Sequence, residues 1–190
     1  MVERTGGTGV EIVVVDWATR GDSISSIVHL VNEVYLNSED GLWVPGTLRT
    51  SLDEVASAIR DGQLALARQA ETIVGAVRLQ LVDSQTGGLS MLVADTQCRG
   101  LGIGTLLVDF AHAWARRQGL AAMQLEVLTP RNWAHPSKVF LLDWYGRIGY
   151  QQMQLDPVEV KYPTLEPLLA TPCDLVVFRK DLASSPLDRC

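Results

Sequence analysis

The chain has 190 residues, 47% of them hydrophobic and 20% charged. This excludes a disordered tail or a fibre and fits one domain, expected over residues 1–182 with 183–190 as a disordered tail. Sixteen Lys and Arg against twenty-two Asp and Glu give a net charge of −6 with no basic run beyond Arg116 and Arg117, and the longest stretch between charges, Ser84 to Ala94, has eleven residues, so neither nucleic acid nor a membrane is an expected partner.

The first nine residues carry Glu3, Arg4 and several glycines but no apolar core. They read as a flexible start and not a secretory signal, which makes the cytoplasm the expected compartment. Val10 to Val15 is a β-branched run that predicts a strand. Asp22 or Ser23 is placed to cap a helix in which Ile24, Ile27, Val28, Val31, Val34 and Tyr35 share one face. Gly41, Pro45 and Gly46 make Asn37 to Thr47 a loop, after which Thr50 or Ser51 caps a second helix carrying Leu52, Val55 and Ile59. Three strands follow, Gln63 to Arg68 and Ile73 to Val82 around a turn at Ala70 to Thr72, and Leu89 to Ala94 after Gly87 and Gly88. Their short connections imply an antiparallel meander.

The period then changes. Leu106, Leu107, Phe110 and Trp114 share a face of a helix over Ile103 to Gln118 that stops at Gly119, and Ala122 to Leu128 is the next strand. Strand, helix and strand in that order form a crossover unit, which sets Leu89 to Ala94 and Ala122 to Leu128 parallel in one sheet. A polar loop, Thr129 to Pro136, leads to a helix over Ser137 to Ile148 and a strand from Tyr150. Four prolines punctuate the stretch from Pro157 to Pro172, and the last strand is Cys173 to Arg179. Cys98, Cys173 and Cys190 with His29, His112 and His135 show no metal-ligand spacing, so no metal is expected.

Arg99-Gly100-Leu101-Gly102-Ile103-Gly104-Thr105 lies between a strand and an amphipathic helix. The first amides of a helix lack intrahelical acceptors, the dipole there favours an anion, and glycines let a phosphate approach the backbone. A dinucleotide turn finds some support in Glu126, twenty-two residues after Gly104. It is opposed by Asp95 to Arg99 standing ahead of the first glycine and by Leu at position 107. No Gly-Lys-Ser or Gly-Lys-Thr of a P-loop occurs.

With Arg99, Gly102 and Gly104 in this spacing, the turn resembles the acyl-CoA signature of the GCN5-related N-acetyltransferases. The later run Trp144-Tyr145-Gly146-Arg147-Ile148-Gly149-Tyr150 is similar to the aromatic ending of that family's fourth helix. The resemblance implies an α/β fold with a mixed, mostly antiparallel central sheet, splayed at a parallel strand pair, with helices on both faces. It implies acetyl-CoA as cosubstrate, its pantetheine amides paired with backbone at Val93 and Ala94. Its pyrophosphate would lie on the amides of Arg99, Gly100, Leu101, Gly102, Ile103, Gly104 and Thr105.

The same resemblance makes the Tyr145 hydroxyl the acid for the departing thiolate. Glu126 is the candidate base that can be placed on a central strand, though a glutamate there more often simply pairs with a neighbouring basic group. Leu89 to Ala94 lacks the glutamate that the family often carries there, which leaves room for a water relay. Lys138 and Arg131 are basic groups in reach of a ribose phosphate, and His135 reads as a loop or capping residue. The expected activity is acetyl transfer to a primary amine of a small molecule or peptide, with a non-catalytic acyl-CoA-binding module as the alternative and a homodimer as an open possibility.

Overall fold

The structure is a computed structural model that describes residues 2–4, 9–15, 17–18 and 23–182; the candidate cap Asp22 and the tail 183–190 lie outside the described residues. Among the described residues eight strands form one sheet: β1 (Val2–Arg4), β2 (Val10–Val14), β3 (Leu64–Gln69), β4 (Thr72–Leu81), β5 (Thr86–Ala94), β6 (Ala122–Pro130), β7 (Gln151–Pro157) and β8 (Cys173–Asp181). Their order across the sheet is β1-β2-β3-β4-β5-β6-β8-β7. Every neighbouring pair is antiparallel except β5 and β6. The helices are α1 (Ser23–Ser38), α2 (Leu52–Arg60), α3 (Ile103–Arg117), α4 (Pro136–Arg147) and the single turn α5 (Val158–Lys161).

Strand alternation sorts the core into two faces. Leu64 and Leu66 of β3 pack with Ile27 and Val31 of α1 and Val55 and Ile59 of α2, whereas Ala65 and Ala67 pack with Ile103, Leu107 and Phe110 of α3. Successive side chains of a strand point to opposite sides, so one sheet gains a helical layer on each face. Tyr145 of α4 belongs to the α3 face, and Leu128 of β6 to the opposite one, where it meets Leu42 and Val158.

Local signals account for most boundaries. Ser51, not Thr50, caps α2: its hydroxyl accepts from the Glu54 amide at 3.2 Å while Glu54 Oε2 accepts from the Ser51 amide at 2.9 Å, a reciprocal box. His135 caps α4, its Nδ1 accepting from the Ser137 amide, and Pro136 occupies the first helical turn. Three expectations change. The start of the chain, read as flexible, contributes β1 as an edge strand on β2. Strand β5 starts at Thr86, with Gly87 and Gly88 inside it. Glycines in a strand resemble a turn in sequence, but a Cβ at Gly87 would stand 2.6 Å from Met123 Sδ and 3.0 Å from the Trp114 ring. Close approach is what this position needs. The proline-rich stretch is also less irregular than expected, holding α5 and a 3-10 turn at Glu166–Leu168. Among the described residues no helix is long and apolar enough to cross a membrane.

Candidate active site

The parallel pair separates almost as soon as it forms. Thr86, Gly87 and Gly88 pair with Ala122, Met123 and Gln124, and no rung joins β5 and β6 beyond them. The Leu89 to Ala94 stretch forms one wall of the gap, so the sheet is splayed at its parallel pair as the resemblance implies. A cavity of about 670 Å³ occupies it, lined by both strands and by residues of α1 and α4. On the other side β5 is bulged against β4: Ala76 faces Val93 and Arg78 faces Ser90, so Met91 and Leu92 stand opposite Val77 alone. Met91 has φ 51°, a left-handed conformation that costs a non-glycine residue roughly 1–3 kcal/mol. A bulge leaves a residue out of the ladder, and both Met91 and Leu92 line the cavity.

At one end lies the glycine turn. The Asp95 carboxylate accepts from the Gln97 amide at 2.8 Å and starts a 3-10 turn, Thr96–Cys98. Gly102 follows as the N-cap of α3 with φ 69° and no capping side chain. The first bond back to it is the Leu106 amide on the Gly102 carbonyl at 3.0 Å. The amides of Ile103, Gly104 and Thr105 therefore lie ahead of the ladder, as an anion site requires. A Cβ at Gly102 would meet nothing within 4 Å, and at Gly104 only the Trp144 ring at 3.7 Å, so space for a phosphate lies beside both. Val93, Ala94, Arg99, Gly100, Gly102, Ile103, Gly104 and Thr105 all line the cavity. Leu101 does not; its side chain packs into the α3 core.

Tyr145 and Glu126 reach the cavity from opposite faces of the sheet. The Tyr145 ring is held by Trp144, Tyr150 and Phe178 at 4.9, 5.7 and 6.0 Å between centroids. Its hydroxyl has no hydrogen bond among the described residues. Burial, with smaller contributions from Tyr35 and Tyr150, pushes this phenol far above its ordinary value. Glu126 faces the α1 side. Its Oε1 pairs with Lys161 Nζ at 2.8 Å and its Oε2 accepts from the Tyr162 hydroxyl at 3.0 Å. Lys138 and Arg131 are both engaged: Lys138 is buried and paired with Glu39, and Arg131 bonds Asp174 at 2.7 Å and Glu159 at 2.6 Å.

A further charged group was not foreseen from sequence. Glu39, just past α1, accepts from Trp43 Nε1 at 2.7 Å and pairs with both Lys138 and Arg49. The Arg49 guanidinium stacks 3.8 Å from the Trp43 ring and 4.9 Å from the Tyr35 ring. Burial first, and Glu39 second, raise the Tyr35 phenol to about 12. Glu39, Arg49, Lys138 and Tyr35 all line the cavity.

A family model described as the acetyltransferase (GNAT) family matches residues 29–136, more than half of the chain. The chain belongs to the GNAT acetyltransferase family. No curated protein matches its sequence, so the remaining likeness is one of fold. The GNAT chain is similar to Ard1 from Thermoplasma volcanium at 13% identity with a TM-score of 0.65, covering 93% of this chain and 99% of that one. It is similar to the ribosomal-protein-S18-alanine N-acetyltransferase from Escherichia coli at 14% identity and 0.63, covering 95% and 99%. N-acetylglutamate synthase from Neisseria gonorrhoeae, solved with coenzyme A and N-acetyl-glutamate, aligns at 14% and 0.62 over 92% of this GNAT chain and 35% of the larger one.

Proposed function

We propose that the protein is an N-acetyltransferase that moves an acetyl group from acetyl-CoA to a primary amine by direct attack in a ternary complex. The observation that carries this reading is the gap between β5 and β6. It runs from an uncapped helix N-terminus, past a bulged strand and a phenol, to a carboxylate on the opposite face of the sheet. Acetyl-CoA supplies an activated acyl carbonyl. The amides at the start of α3 take the pyrophosphate, Val93 and Ala94 offer backbone to the pantetheine arm, and the bulge at Met91 and Leu92 offers backbone to the carbonyl. A donor aimed at that oxygen acts most strongly as negative charge grows on it.

The acceptor raises a separate difficulty. An amine of pKa ~10.4 must lose a proton before it attacks, a penalty of roughly 4–5 kcal/mol at pH 7. Glu126 is assigned to that proton. Each carboxylate oxygen accepts two hydrogen bonds, so its bonds to Lys161 and Tyr162 leave one position open on each for an ammonium. As the nitrogen bonds to the carbonyl carbon, the C–S bond breaks and the thiolate leaves, and the second proton shed by the nitrogen converts that thiolate to the free thiol. The Tyr145 hydroxyl then donates to sulfur. Its raised pKa makes full proton transfer unfavourable unless the buried thiolate is raised alongside it, so the hydrogen bond is the larger part of its contribution.

The test follows thiol release from acetyl-CoA across a panel of amines, with the amide product identified by mass. Release that depends on the amine supports the reading. Saturable acetyl-CoA binding without release for any amine would replace it with a non-catalytic acyl-CoA-binding module.

A further inference from the structure

The α1 side of the cavity carries two charged groupings of opposite excess. In the first, the single Glu39 carboxylate faces two cations, Lys138 and Arg49, an excess of one positive charge. The adjoining helix ends do not remove it. The C-terminus of α1 and the N-terminus of α4 meet here, with Ser137 Oγ donating to the Ser38 carbonyl, and their partial charges of roughly one half are opposite in sign. In the second, Glu126 lines the cavity and shares Lys161 with Asp156, each at 2.8 Å, neither Lys161 nor Asp156 being part of the lining; the three together carry an excess of one negative charge. Arg131 does not line the cavity and is taken by Glu159 and Asp174.

Arg49 has donors to spare. Its Nε lies 3.2 Å from Glu39 Oε2, close enough for an ion pair but off the line of a hydrogen bond, so this buried N–H has no acceptor among the described residues. The side chain is nonetheless fixed. Trp43 and Tyr35 stack on it, and Asn32 Oδ1 accepts from the amides of Arg49 at 2.7 Å and Thr50 at 3.2 Å. A guanidinium presents five N–H donors in a planar fork matched to a carboxylate. A sparsely solvated excess cation is unfavourable by itself and becomes favourable when an anion arrives.

We propose that the acceptor is a free amino acid or a similarly compact zwitterion, its carboxylate bound by Arg49 and its ammonium directed to Glu126. This deepens the transferase reading and rests on it. It assigns substrate choice to Arg49, and it disfavours plain amines and peptide N-termini, which lack the adjacent carboxylate.

The experiment compares phenylalanine, leucine and serine, each with its amide and its decarboxylated amine (phenethylamine, isoamylamine, ethanolamine), by kcat/KM for thiol release. At least a tenfold preference for the free amino acid is expected in the series that reacts best, the loss typical of a missing charged partner. In Arg49→Gln the preference should fall to within about twofold, and Arg49→Lys should keep part of it. Acetyl-CoA affinity, measured on each variant, shows whether the fold is kept. Equal rates across a series, or a better amide, would overturn the carboxylate subsite while leaving the acetyltransferase reading intact. If no amine releases thiol, the transferase reading fails and the subsite is judged by binding. A rise in Tm of the CoA-saturated protein with the free amino acids, absent in Arg49→Gln, supports it, and no rise overturns it.

Discussion

Lys138, in the first turn of α4, is ion-paired with Glu39, ninety-nine residues earlier in the chain. Both side chains are nearly closed to solvent, at 6% and 3% exposure, and Arg49 adds a second positive charge. Removing one partner of a buried pair is expensive because the other is left uncompensated. Glu39→Gln, which strands two cations, is expected to lose about 3–5 kcal/mol. Arg49→Gln leaves a balanced pair and should lose much less. Urea unfolding of the two variants is the measurement, and equal losses would show that the charge excess is not felt by the fold.

His112 sets a second expectation. Its Nε2 lies 3.0 Å from the Tyr150 hydroxyl, and burial, with Lys180 and Arg116 nearby, lowers its pKa from 6.5 to about 4. A histidine whose folded pKa is depressed binds fewer protons when folded. Its contribution is fully present above the unfolded value and is lost as pH falls through 6.5 toward 4. The shift corresponds to an order of about 3 kcal/mol across that window. Unfolding midpoints measured between pH 4 and pH 7 should therefore fall on acidification, and fall less steeply in His112→Gln. Parallel curves for the two proteins would mean that other groups carry the acid sensitivity.

The readable part of this site is the part that is local in sequence. The glycine turn and the Trp144 to Tyr150 run each lie within a few residues of chain, where cap, helix period and glycine stop are written side by side. The crossover unit that holds the glycine turn is equally visible, because its strand and helix periods differ. Glu39, Arg49 and Lys138 come from three segments that only the tertiary fold joins, so no periodicity announces them. Lys138 reads in sequence as a basic group for a ribose phosphate, whereas the fold buries it against Glu39. Gly87 does not announce itself as part of β5 for a related reason: the Trp114 and Met123 side chains that require a glycine there arrive from elsewhere in the chain.

The turn itself is tested by comparing two glycines of similar conformation. Gly102 and Gly119 have φ of 69° and 73°, and a Cβ on either meets nothing within 4 Å. Alanine at each should lose about 1–2 kcal/mol of stability through backbone strain alone. Only Gly102 lies at the start of α3 on the cavity. Calorimetry should find acetyl-CoA affinity reduced at least tenfold in Gly102→Ala and unchanged in Gly119→Ala. Equal affinities in the two variants would mean that the turn is needed for the fold and not for the ligand.

Tyr145→Phe isolates the hydroxyl from the ring. Trp144, Tyr150 and Phe178 pack against the aromatic face, which phenylalanine preserves, and the hydroxyl has no hydrogen bond among the described residues to lose. Stability and acetyl-CoA affinity should therefore stay close to wild type. Turnover should fall about 10²-fold, the lower end of general acid contributions, and the loss should appear in kcat and kcat/KM alike because the bond to sulfur strengthens only as the thiolate departs. The raised pKa of Tyr145 adds a feature to the pH profile. The phenol stays protonated through the alkaline range, so the rate should show no decline from Tyr145 ionisation near pH 10, where an ordinary tyrosine would lose its proton. An alkaline limb that is present in wild type and abolished in Tyr145→Phe would contradict a buried, protonated donor, and unchanged turnover in the variant would remove Tyr145 from the chemistry.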